Sequence, residues 1–146
     1  MTIKNKPEEL SYHGLYLLSY LKENHPDRAA DKAFIETRST IAADIYEQTR
    51  KEGYTPEGAQ ELAMATLLQG LHFSRYNTLI EVLWNEFAEE VPQGDAADLA
   101  VKLLPSIEEI FAKYPLSDDF AYTPEYDALY TELTGTIMIH IEAYGI

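Results

Sequence analysis

Apolar residues recur along this chain at three- and four-residue intervals, broken by prolines and glycines, and the pattern predicts helices throughout. Over residues 11–24, Leu15, Leu18 and Leu21 make one stripe with Tyr12, Tyr16 and Tyr20 beside it. Pro26 ends that segment, because the residue before a proline is driven out of helical space. Asp31 is placed to cap a second helix reaching about Glu52, with Phe34, Ile41, Ile45 and Thr49 inward, Ala42 and Tyr46 adjoining, and Gly53 as the residue that stops it. A third helix starts at Pro56, with Ala59, Leu62, Ala63, Thr66 and Leu67 on its stripe. Gly70 followed by Leu71 reads as a stop. Ser74 then caps a fourth helix reaching about Val91, with Ile80, Leu83, Trp84 and Phe87 inward; a single helix bent at Gly70 fits the same pattern.

Residues 92–95 form a turn, and Pro105 divides the next segment into two short helices, 96–104 and 106–113, or kinks one. The last helix runs from Pro124 to Tyr144, with Tyr126, Leu129, Tyr130, Leu133, Ile137 and Ile141 on one face and Gly145 after it. Ile137, Ile139 and Ile141 also alternate as a strand would, but the longer helical period outweighs them. The tetrapeptide Tyr-Thr-Pro-Glu occurs at residues 54–57 and again at 122–125. In each copy Thr is expected to cap, Pro to occupy the first helical position and Glu to meet the positive end of the helix dipole. The flanking residues do not repeat, so this is convergence on a good helix start. The expected fold is all-α: a single-domain orthogonal bundle of five to seven helices over residues 10–146, behind a flexible lead-in at 1–9. Its expected core is Leu18, Leu21, Phe34, Ile41, Ile45, Leu62, Leu67, Ile80, Leu83, Phe87, Leu103, Ile110, Leu129, Leu133, Ile137 and Ile141.

Composition narrows the chemistry. The 146 residues contain no cysteine, which removes disulfides, thiolate metal sites and cysteine nucleophiles. The polar start (Lys4, Asn5, Lys6, Glu8, Glu9) has no apolar signal region, and no apolar run approaches a membrane span, so a soluble cytoplasmic protein is expected. The net charge of −14 is uneven: the first 53 residues hold nine acids and eight bases, whereas the rest hold sixteen acids against Arg75, Lys102 and Lys113. Solubility explains part of this; a basic protein partner is the sharper reading. Direct binding to nucleic acid or anionic membrane is disfavoured, because phosphate contacts need Lys and Arg.

The four histidines, His13, His25, His72 and His140, form no His-x-x-x-His or Glu-x-x-His pair, so neither a zinc-protease helix nor a di-iron bundle can be drawn. His25 reads as an exposed helix terminus and His140 as a boundary residue. No glycine-rich phosphate loop or nucleophile elbow is present, no catalytic residue is assigned and no cofactor is expected. Acidic pairs such as Glu89-Glu90 and Asp118-Asp119 point about 100° apart on a helix and make no dyad by themselves. One cluster stands out: His72, Arg75 and Tyr76, where Arg75 is the only base between Lys51 and Lys102. It could bind an anion or a partner's carboxylate. The plainer account pairs Arg75 with a local acid, Glu81 or Glu61, as a tie between helices. Tyrosine is abundant, and Tyr12, Tyr16 and Tyr20 make either an interface stripe or the seat of the first helix.

The runs at residues 10–18 and 58–74, Leu83-Trp-Asn-Glu-Phe, and Asp119-Phe-Ala-Tyr-Thr-Pro-Glu-Tyr together resemble a family of small helical Bacteroidetes proteins classed as a domain of unknown function, often carried on conjugative transposons. The resemblance spans nearly the whole chain. It implies an all-α fold and a mobile-element setting, and carries no catalytic signature. The expected function is a non-enzymatic, protein-binding accessory role. Alternatives are a polyanion mimic that inhibits a DNA-handling or restriction enzyme, and a small-molecule-binding bundle or enzyme around His72 and Arg75. A homodimer through the tyrosine stripe or the isoleucine-rich last helix is also expected, because both offer apolar surface beyond one core face.

Overall fold

Helix starts are set by capping side chains close in sequence. In the computed structural model, which describes residues 10–146, Ser11 accepts a hydrogen bond from the Gly14 N–H at 3.1 Å and Asp31 from Phe34 at 3.1 Å. Thr55 accepts from Gly58 at 3.0 Å and Ser74 from Asn77 at 2.9 Å. Each satisfies a donor that the first helical turn leaves without an intrahelical partner. The lead-in expected over residues 1–9 lies outside the described residues.

All regular structure among the described residues is helical. The α-helices are α1 (Tyr12–Asn24), α2 (Lys32–Lys51), α3 (Pro56–Leu67), α4 (Arg75–Glu86), α5 (Ala96–Leu103), α6 (Glu108–Phe111) and α7 (Glu125–Tyr144), with 3₁₀ turns at Pro26–Arg28, Gln93–Asp95, Leu104–Ile107 and Phe120–Tyr122. They gather into two compact units, one ending at Gln69 and one spanning Gly70–Ile146.

The first unit packs α2 chiefly against α3, with α1 against both. Its buried faces are narrow: His13, Gly14, Leu17 and Leu21 on α1; Ile35, Ser39, Ala42 and Thr49 on α2; Ala59, Ala63 and Leu67 on α3. Small side chains let helix backbones approach closely, and that preference rotates the buried face away from the largest apolar residues. Ile41 is 44% exposed and Leu62 39%, so neither joins the core expected for them. Leu15 is exposed as well, and fully buried Leu17 takes the inward place on α1. Phe34 is half-buried beneath two cations, with the guanidinium carbons of Arg28 and Arg38 at 4.3 and 4.8 Å from its ring centroid. His25 is buried, contrary to the exposed terminus expected, because the Pro26–Arg28 turn folds the chain back and sets its ring 6.1 Å from that of Tyr20.

The second unit is built on larger side chains. Leu79, Val82, Leu83 and Phe87 of the α4 segment meet Leu99, Leu103, Leu104, Ile107 and Phe111, and Leu129, Leu133 and Ile137 of α7. Phe120 sits at its centre, fully buried, in edge-on contact with Phe73 at 5.2 Å and Tyr114 at 5.9 Å. Gly70, at φ +80°, breaks the chain between α3 and α4, so the bent-helix alternative does not hold. The fourth helix ends at Glu86, short of Val91, because the Phe87 carbonyl accepts the N–H groups of Glu90 and Val91 and closes a turn. Trp84, expected inward, is 48% exposed. At Pro105 the helix gives way to a 3₁₀ stretch, since proline cannot donate the next α-helical bond. The second Tyr-Thr-Pro-Glu copy does not cap as the first does. The Thr123 hydroxyl donates to the Phe120 carbonyl at 2.8 Å, and α7 starts behind Pro124 with no side-chain cap.

Candidate interaction site

The 68–74 loop carries the residues singled out as a possible anion site, and its geometry shows what they hold. The N–H of Gly70 donates to Asp118 Oδ2 at 2.9 Å and the N–H of His72 to Asp118 Oδ1 at 3.0 Å. The His72 Nδ1 lies 3.1 Å from Asp118 Oδ2. The loop therefore receives a carboxylate from its own chain. Partial burial acts to raise the Asp118 pKa, but the two backbone bonds and His72 outweigh it and hold the carboxyl below its ordinary 3.8. Arg75 faces Glu108 at 3.3 Å, tying α4 to α6, an acid farther along the chain than the Glu81 or Glu61 expected. Tyr76 is half-buried and packs against the core of the second unit.

The tyrosine stripe divides. Tyr12 and Tyr16 are 62% and 42% exposed, with ring centroids 6.5 Å apart, whereas Tyr20 is half-buried beside His25. In the second unit Tyr114 and Tyr130 sit at the core edge with hydroxyls aimed at acids. Tyr114 donates to Glu132 at 2.9 Å and Tyr130 to Glu86 at 3.0 Å. Lys113 also bonds Glu132, and that bond, followed by the one from Tyr114, lowers the Glu132 pKa. Burial, followed by the charge of Glu81, pushes the Tyr126 hydroxyl up to about 12.

Three contacts had no signal in the sequence. Asp118 reaches the loop across 46 and 48 residues, a separation with no local signal. Arg38 donates from Nη1 to the carbonyls of Thr66, Leu67 and Gln69 at 3.3, 3.1 and 2.7 Å and so closes the end of α3. Trp84 lines a cavity of about 380 Å³ with Ala88, Val91 and Gln93. Val91 also lines a second cavity of about 210 Å³, whose other walls include Asp95, Asp98, Leu99 and Lys102. A third, of about 220 Å³, lies along α7 and is lined by Leu103, Ile107, Ile137, Ile139, His140 and Tyr144. Among the described residues no cluster of His, Asp and Glu could hold a metal ion, and no helix is long and apolar enough to cross a membrane.

These helices and their sequence define the class. The model of DUF1896, a domain of unknown function, matches residues 5–146, and the chain belongs to that family. It is similar to a protein of known structure, PG0816 from Porphyromonas gingivalis, with 45% identity, 93% of each chain covered and a TM-score of 0.88. No match was found among curated proteins.

Proposed function

We propose that this chain is a cytoplasmic, non-enzymatic accessory protein that acts by binding another protein, and that it serves a mobile genetic element. The observation that carries the reading is the set of large apolar side chains on its surface: Tyr12, Tyr16, Trp84, Met138 and Ile139 are each between 42% and 68% exposed. Aromatic residues at this exposure are those that interfaces favour. The groups that suggested a chemical site point the same way. His72 and Arg75 each face a carboxylate of the chain itself, Asp118 and Glu108. The mobile-element setting rests on the family resemblance, and a basic partner on the acid excess.

The test is affinity capture of the tagged chain from a native lysate of its own host, with the Tyr12→Ala/Tyr16→Ala and Trp84→Ala proteins alongside. The reading expects a stoichiometric partner that at least one of these substitutions weakens. Recovery of no partner, or a clean turnover by the purified chain, would overturn it.

A further inference from the structure

The surface around Trp84 combines features found nowhere else among the described residues. It holds the chain's single tryptophan, half-exposed at the wall of a cavity of about 380 Å³, and Val91 lines both that cavity and a second one bordered by Asp95 and Asp98. Glu86, Glu89 and Glu90 are exposed in the same stretch of chain. Glu86 accepts a hydrogen bond from Tyr130, and among the described residues Lys102 is the one cation on the lining. The unit as a whole has fourteen acids against three bases.

We propose that the Trp84 cleft docks a basic segment of a protein partner, with an arginine or lysine over the indole face and apolar neighbours of that residue in the cavity. An indole face attracts cations most strongly of the aromatic side chains, and arginine can stack on it while its edge reaches carboxylates. Ala88, Val91 and Leu99 supply apolar wall, and Asp95 and Asp98 supply the opposite charge. Charge complementarity selects the occupant. An acidic or nucleic-acid partner would bring like charge to this surface, and a second copy of the chain would bring its own acids. The proposal names the surface and chemistry of the partner inferred under Proposed function and rests on that reading.

Trp84, as the only tryptophan, reports on its own site. The full chain is titrated with a short peptide rich in arginine and leucine, and with its counterpart carrying glutamate for arginine. Intrinsic emission is read for the wild type and anisotropy of labelled peptide for every variant. The basic peptide is expected to shift the emission saturably, and more weakly as salt screens the contact. Trp84→Ala should weaken binding about tenfold or more, Asp95→Asn/Asp98→Asn by several-fold on charge grounds, and Glu47→Gln, in the first unit, should leave it unchanged. Equal binding of the acidic peptide, undiminished binding by Trp84→Ala with native circular dichroism, or an emission shift produced by protein concentration alone would overturn the proposal. A lysate partner held equally well by wild type and Trp84→Ala would overturn this surface and leave the interaction reading standing. A wild-type chain that holds no partner would overturn the reading itself.

Discussion

Arg38 meets three carbonyls at the end of α3 while its guanidinium lies over Phe34, so one side chain ties two helices together through polar and cation–π contacts. Arg38→Ala leaves terminal carbonyls without that donor and removes a positive charge from the negative end of the helix dipole. The expected loss is about 1–2 kcal/mol in urea denaturation. Arg38→Lys should recover only part of it, because an ammonium lacks the planar guanidinium that stacks on Phe34. Tyr126 supplies a second residue-scale prediction. Its hydroxyl is raised to about 12 from the ordinary 10.0, so the folded state favours the neutral phenol more than the unfolded state does. Its stabilising contribution is therefore full below pH 10 and is lost as pH rises through about 12. Ultraviolet titration of the eleven tyrosines should show a late-ionising component, to which Tyr114 and Tyr130 also contribute, that Tyr126→Phe diminishes.

At the scale of elements, the two Tyr-Thr-Pro-Glu copies make a controlled comparison. Thr55 caps α3 and Thr123 does not cap α7, since its hydroxyl is turned back to Phe120. Thr55→Ala should cost about 1 kcal/mol, as loss of a cap usually does, and Thr123→Ala less, both read from denaturation midpoints. The loop before α4 depends on Asp118. Its carboxyl titrates below 3.8, so it contributes stability above the unfolded value, and that contribution disappears as pH falls through the folded one. Hydrogen-exchange protection of the Gly70 and His72 amides should decline on acidification, and Asp118→Asn should lower it already at neutral pH. Unchanged protection in that variant would mean that the loop is held by other contacts.

For the molecule as a whole, the charge of −14 and the isoelectric point near 4.5 make self-repulsion a standing cost at neutral pH. Sodium chloride should raise the melting temperature at pH 7 by screening it, and the gain should shrink as pH approaches the isoelectric point. Stability should nonetheless fall below about pH 4, where the depressed carboxyls of Asp118 and Glu132 take up protons and release their partners. A melting temperature insensitive to salt at pH 7 would show that repulsion does not limit this fold.

Helix identity was legible in the sequence because it rests on local physics. Ser11, Asp31, Thr55 and Ser74 bond to N–H groups three residues away, and Gly53 and Gly70 take positive φ that few other residues tolerate. The inward face of α7 was legible too, since Leu129, Leu133 and Ile137 are buried as their period indicates. Periodicity ranks faces by hydrophobicity, however, whereas packing selects them by fit. Ala59 and Ala63 are buried as the α3 stripe indicates, but Ala42 took the interior of α2 while Ile41 and Leu62, the larger residues expected inward, were left outside. The candidate site divides along the same line. Arg75 could be expected to find an acid, but its partner Glu108 lies 33 residues away, and Asp118 meets the His72 loop from 46. Chain spacing carries no information about such pairs, because they exist only after the intervening helices have folded. Trp84 shows the converse: its sequence period places it inward, but Leu79, Val82 and Leu83 fill the core and its ring is left half-exposed.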